Sequence, residues 1–281
     1  MAESFMAESL KTGGAMPIKC NLELSAKTQD HFHAIDKVVM RHSFDIHNSL
    51  GRFLDESIYQ EELRQRCLKS GLNAHSELEI QVSHADFRKS YFLDLLIEKS
   101  FIYELKAAVS LNTSHAKQLI NYLLLTDLKH GKIINFRPQS LESQFASTRL
   151  SRGERTVFQF HDESSAKQGS PIHRLKDTLC ELLGDWGTFL EINLYREALL
   201  FLMTDKVDPL QDIEIIIDGR IIGSQKMCML SPESGWHLSA TKHHHHSYEA
   251  HIRRMLHHTP LESIHWINFN NHQVTLKTLE K

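Results

Sequence analysis

The sequence predicts an α/β protein in which a mixed sheet flanked by helices occurs twice along one chain. Three observations carry this. Stretches with apolar residues at helical spacing alternate with short apolar or alternating runs, in the order α, β, β, β, α, β. A Ser-, Gln- and charge-rich stretch at 137–172 then interrupts the pattern, which begins again beyond it. Finally, two blocks of the first half recur in the second half at nearly the same offset.

The first helix is read from "TQDHFHAIDKVVMRHSFDIHNSL", where Ile35, Val38, Val39, Phe44, Ile46 and Leu50 fall on one stripe until Gly51 interrupts. "RFLDESIYQEELRQRCLKSGL" resumes the stripe, and Ser70-Gly71 supplies a stop. "ELEIQVSHA", "SYFLDLLIE" and "FIYELKAAV" read as three strands, the last two joined by a tight turn at Glu98-Lys99-Ser100. "SHAKQLINYLLLTDLK" is an amphipathic helix and "GKIINFR" a short strand. These elements set the expected organisation: a flexible leader at 1–25, a first domain at 26–137, a linker at 138–172 and a second domain at 173–281.

The repeat is specific. "GRFLDESIYQEEL" (51–63) aligns with "GTFLEINLYREAL" (187–199) at an offset of 136. "HAKQLINYLLLTDLKHGKIINF" (115–136) aligns with "YEAHIRRMLHHTPLESIHWINF" (248–269) at an offset of 133, keeping Leu123/Leu256, Thr126/Thr259, Leu128/Leu261 and a whole "INF" triplet. An intramolecular pseudo-dimer is therefore expected, with a homo-oligomer as a further possibility.

The 281 residues are 41% apolar and 24% charged, as in ordinary globular proteins. No run of 18 apolar residues marks a membrane span, and the N-terminus lacks the apolar core of a secretory signal. Cys20, Cys67, Cys180 and Cys228 have no CxxC spacing, which suits reduced thiols, and a cytoplasmic protein is expected. A formal charge of −3 excludes a generally basic nucleic-acid coat, so contact with phosphates would have to be local.

Charged residues inside apolar strands are the chemical signal. Asp94, Glu104 and Lys106 sit in runs that otherwise read as core, where charge is rare unless paired or bound to metal. Residues two apart on a strand share a face, so Glu104 and Lys106 project together and Leu105 points to the other side. Asp94, on the preceding strand, can share that face. Two carboxylates with a backbone carbonyl make a hard oxygen site suited to Mg²⁺ or Mn²⁺. Glu56 can complete it from the first helix, while Gln118 and Tyr122 share a helix face and can bond phosphate oxygens. Carried to the second half, the repeat puts Met227 opposite Asp94, His237 opposite Glu104, Ser239 opposite Lys106 and Ile192 opposite Glu56. The repeated frame thus does not need the charges.

Asp94-x9-Glu104-x-Lys106 followed by Gln118-x3-Tyr122 resembles the PD-(D/E)xK nuclease superfamily. More narrowly it is similar to the GxxExxY branch, through Ile46-His47, Leu50-Gly51, Glu56 and Tyr59, and "INF" downstream. The resemblance covers about residues 33–137. It departs from the pattern in two places: Glu56 follows Gly51 by five residues, and Leu93 stands where the superfamily's proline would be. The resemblance implies a restriction-endonuclease-like mixed sheet, duplicated here as an active and a degenerate copy, and metal-dependent cleavage of nucleic acid, DNA rather than RNA. In it Asp94, Glu104 and the Leu105 carbonyl hold Mg²⁺ or Mn²⁺, Lys106 assists the attacking water, Glu56 binds or orients at the metal, and Gln118 and Tyr122 contact substrate phosphate. The rival reading is a nucleic-acid- or protein-binding assembly module with little turnover. Tyr59 recurs as Tyr195 in the copy without charges, so it is expected to pack. His243 to His246 are consecutive and are expected in an exposed loop.

Overall fold

The computed structural model describes residues 17–164, 168–203 and 209–281, so most of the expected leader lies outside the described residues. The chain divides into two compact units between Arg152 and Gly153. The N-terminal unit runs β1 (Ile18–Cys20), α1 (Gln29–Leu50), α2 (Glu56–Lys69), β2 (Ala74–His84), β3 (Phe87–Ile97), β4 (Phe101–Lys106), α3 (Thr113–Thr126), β5 (His130–Asn135) and β6 (Glu142–Ser147). Its six strands lie in the order β1-β2-β3-β4-β5-β6, with β4 parallel to β5 and the other pairs antiparallel. The parallel pair needs a crossover, and α3 supplies it.

Local chemistry explains these boundaries. Thr28 caps α1 by accepting the His31 N–H, and Gly51 ends it in a positive-φ conformation. Glu98 and Lys99, with φ of 55° and 56°, make the β3–β4 turn in the conformation that matches strand twist. Asn112 opens α3 with a reciprocal capping box to His115. On one face of the sheet Leu95, Ile97, Tyr103, Leu105, Ile134 and Phe136 pack against Phe32, Val39 and Ile46 of α1 and Tyr59, Leu63 and Cys67 of α2. Leu105 therefore faces this core, as its alternation with Glu104 and Lys106 requires.

The C-terminal unit follows α4 (Arg152–Arg155), which spans the division. It runs β7 (Gln159–Glu163), α5 (Pro171–Trp186), α6 (Ile192–Leu202), β8 (Leu210–Ile217), β9 (Arg220–Ser231), β10 (Ser234–Ser239), α7 (His245–His257), β11 (Ser263–Asn270) and β12 (Gln273–Glu280). The sheet order is β7-β12-β11-β10-β9-β8. From α5 onward the two units present the same succession, α-α-β-β-β-α-β-β, and β10 runs parallel to β11 as β4 does to β5. They differ at the edge: β1 adds beside β2, whereas β7 adds beside β12.

Two segment expectations are corrected. The leader contributes β1, and the stretch expected as a linker contributes β6, α4 and β7. These strands lie at sheet edges, where a strand satisfies its backbone on one side and buries few side chains. The residues of β6 are mostly exposed, so polar composition there says little about pairing.

Side-chain tethers repeat with the elements. Gly51 and Gly187 end α1 and α5 with φ of 73° and 78°, each donating its N–H four residues back. Tyr59 and Tyr195, eight residues on, return their hydroxyls to the Gly51 and Gly187 carbonyls. Their rings pack on Phe136 and Phe269, with centroids 4.4 and 4.9 Å apart. Asn135 brackets Ala108 with two backbone hydrogen bonds, and Asn268 does the same for Thr241.

Replacing either glycine forces a conformation that side chains avoid, at a cost of about 1–3 kcal/mol. At Gly51 a Cβ meets open space, whereas at Gly187 it lies 2.7 Å from the Arg155 Cβ. Gly187→Ala is therefore expected to lower stability in urea more than Gly51→Ala. His265, buried between Ser234 and Thr278, is held down to about 4 by its burial. The unfolded chain binds more protons between about pH 6.5 and 4, so stability is present above that window and falls as pH drops through it, by about 3 kcal/mol. All three tryptophans, Trp186, Trp236 and Trp266, belong to the C-terminal unit. Tryptophan fluorescence in urea should show this acid loss, smaller in His265→Gln.

Candidate active site

The sequence-predicted residues Glu56, Asp94, Glu104 and Lys106 converge where β3, β4 and the start of α2 meet. The β3–β4 ladder pairs Leu95 with Tyr103 and stops there, one step before Asp94 would face Glu104. Instead the Leu105 N–H donates to the Asp94 Oδ2 at 2.8 Å, so a side chain replaces the missing backbone acceptor. On the other side of β3, Glu77 has φ of 52° and leaves the ladder opposite Asp94. Gln60, buried on α2, donates to the freed Asp94 carbonyl at 2.6 Å and to the Glu77 carboxylate at 2.7 Å.

Lys106 is the hub. Its Nζ lies 3.2 Å from Glu56, 3.5 Å from Asp94 and 3.6 Å from Glu104, and donates to the Leu105 carbonyl at 2.7 Å. Glu56 takes both the ammonium and, at 3.3 Å, the Ala107 N–H. It is the first residue of α2, where the helix dipole favours a carboxylate.

Glu104 is 1% exposed, and among the described residues neither of its oxygens has a hydrogen-bond partner. Burial first, and then the Asp94 charge, push its carboxyl well above the usual carboxylate range. Burial also raises Asp94, against the pull of Lys106 and the Leu105 N–H. Burial alone would lower Lys106, but the Asp94, Glu104 and Glu56 carboxylates outweigh it and hold the ammonium above its ordinary value. Three carboxyls against one ammonium leave an excess of negative charge. Protonation of the buried Glu104 carboxyl or a further cation would relieve it.

Gln118 and Tyr122 are brought together on α3, Gln118 donating to the Tyr122 hydroxyl at 3.0 Å. Burial raises the Tyr122 hydroxyl, and Glu104, Asp94 and Lys106 all act on it, so it borders the charged cluster. Tyr59 is fully buried in the tether to Gly51 and touches none of the charged groups by hydrogen bond. Gln60 escaped the sequence reading. Its only signal was its position four residues after Glu56 on one helix face.

The equivalent positions in the C-terminal unit form a neutral network. His237 bonds the Tyr248 hydroxyl at 2.7 Å, and burial lowers its basicity. Ser239 donates to Asn268 at 2.7 Å and accepts from the Trp266 indole at 2.8 Å. Met227 is buried in the core. His243 to His246 are exposed, His245 and His246 opening α7, and among the described residues no group of three His, Cys, Asp or Glu side chains is arranged to hold a metal.

With this geometry in place, the comparison with known families gives one result. Residues 33–147 match the family model of the PD-(D/E)XK nuclease superfamily. The match spans α1 to β6 and contains every charged residue of the cluster. It supports a nuclease-type function with nucleic acid as substrate for that unit. Neither a curated protein nor a solved structure gives a significant match to the chain. Among the described residues no helix is long and apolar enough to cross a membrane.

Lys106 carries the balance of the cluster, so Lys106→Ala is expected to destabilise the protein in chelator by about 3–5 kcal/mol, the usual result of leaving a buried charge unpaired. Glu104→Gln added to it removes the orphaned carboxylate and should restore more than half of that loss. Urea unfolding of the N-terminal unit, followed by circular dichroism, checks both.

Proposed function

We propose that the N-terminal unit is a nuclease of the GxxExxY kind, hydrolysing phosphodiester bonds with a divalent cation. The observation that carries this is the buried Glu104 carboxylate, without a protein donor, beside Asp94 and the Leu105 carbonyl inside the segment that matches the nuclease superfamily. Such an orphaned carboxylate fits a Mg²⁺ or Mn²⁺ site, since these ions need only one or two carboxylates with other oxygens. When bound, the cation supplies a water of lowered pKa and charge to stabilise the developing phosphorane. Lys106 already donates to the Leu105 carbonyl, so its ammonium stands in for part of that charge.

The protein's own groups then have distinct tasks. Lys106 orients the attacking water and donates to the phosphate oxygen that gains charge. Glu56 holds Lys106 in place from α2. Gln118 and Tyr122 offer an N–H and an O–H to the phosphate neighbouring the scissile one. Gln60 is a positioning residue, fixing the backbone of Asp94. The C-terminal unit is read as a degenerate copy, and DNA is favoured over RNA.

Cleavage of labelled single- and double-stranded DNA and RNA, with Mn²⁺, Mg²⁺ and chelator, tests this. Wild type should cleave only with metal, and Asp94→Ala, Glu104→Ala and Lys106→Ala should each lose at least about 100-fold, the scale of removing one electrostatic or acid–base contribution. Undiminished cleavage by Glu104→Ala would show that the assigned site is wrong. Binding of nucleic acid that is unchanged by chelator, with no cleavage, would favour the binding module.

A further inference from the structure

The loop between Gly51 and Glu56 carries an apolar ring in an unusual place. Phe53 is 72% exposed, three residues before Glu56. Two cations attend it: the Arg52 guanidinium lies 4.9 Å from its ring centroid and that of Arg137 6.0 Å. Arg137 is in turn tied to the charged cluster. It donates to the Ala107 carbonyl at 3.2 Å, and the Ala107 N–H donates to Glu56. An exposed ring with two guanidinium groups near it is thus linked, through Arg137 and the Ala107 peptide, to Glu56.

The C-terminal unit provides the contrast. The residue at the position of Phe53 is Phe189, but Thr188 stands for Arg52 and Asn270 for Arg137. Phe189 is only part-exposed and packs edge-on to His272, with centroids 4.8 Å apart. Where those charges are absent, the ring is less exposed and neither arginine is kept at its position. The frame of the unit therefore does not require an exposed Phe53 or its arginines.

The geometry points to Phe53 as the base-stacking residue of the substrate site, with Arg52 and Arg137 taking the phosphates on either side, and to single-stranded nucleic acid as the substrate. Inside an intact duplex both faces of each base are covered by its neighbours, so a ring on a loop can stack only on an unpaired or splayed nucleotide. The guanidinium groups supply the charge that a negative chain overall lacks, at the one place where a backbone must be held. This rests on the nuclease reading for its location, but its test does not depend on cleavage.

The test is binding in chelator, followed by anisotropy, of a labelled 12-nucleotide single strand and of a blunt hairpin duplex. A single strand carrying 2-aminopurine reports stacking directly. Phe53→Ala should weaken single-strand binding by about ten- to a hundredfold, leave duplex binding unchanged and restore 2-aminopurine fluorescence, while Phe53→Trp keeps both affinity and quenching. Phe53 is exposed, so these variants are expected to fold. Equal affinity of wild type and Phe53→Ala for the single strand overturns the inference, as does an equal loss for duplex. If wild type binds only duplex and cleaves it with metal, the inference falls and the nuclease reading stands. If it binds and cleaves nothing, both fall.

Discussion

Everything in the N-terminal unit that bears on chemistry depends on how one ammonium is held. Lys106 closes β4 with its side chain on the face opposite the α1–α2 core, and three carboxylates from three elements turn toward it. A buried cluster of this kind is a weak source of stability, because desolvation offsets most of the attraction. It persists only because backbone groups fix each member independently: the Leu105 N–H for Asp94, the Ala107 N–H for Glu56, the strand register for Glu104. Among the described residues Glu104 gets no such donor, and both of its oxygens are left without a hydrogen bond.

The second unit shows what the same frame does without that demand. Gly187, Tyr195, Phe269 and Asn268 repeat the tethers of Gly51, Tyr59, Phe136 and Asn135 with matching partners. At the position of Lys106, Ser239 links the Trp266 indole to Asn268, and no charge is buried. The two units thus separate what folds the sheet from what loads it. Glycine and tyrosine at the α1–α2 corner are structural in both, while Glu56, placed between them, takes the Lys106 ammonium and the Ala107 N–H in one. Gly51 and Tyr59 tie down the loop that leads into α2, and Glu56 stands at the first residue of that helix.

Much of this was legible in the sequence, and for definite reasons. Helices and central strands carry strong periodicity, and the charges in β3 and β4 visibly interrupt it. The edge strands β6 and β7 were missed because nearly all of their residues are exposed and most are polar, and β1 because it is only three residues long. Gln60 was missed for another reason. Its partners are the Asp94 carbonyl and the Glu77 side chain, and both become available only because Glu77 leaves the β2–β3 ladder at positive φ. No residue type announces that departure.

That departure also accounts for the shape of the site. Freed from β2 at Glu77 and from β4 beyond Leu95, Asp94 is held by the Gln60 side-chain amide on its carbonyl and the Leu105 N–H on its carboxylate rather than by two regular ladders. A carboxylate carried by a regular three-stranded pairing would stand perpendicular to the sheet, parallel to Glu104 and repelling it. Releasing the ladder at that single residue lets Asp94 lean across to the Leu105 N–H. It keeps its carboxylate within reach of Lys106 while leaving Glu104 unbonded. The local loss of two backbone pairs is what makes room for two carboxylates to serve one cation.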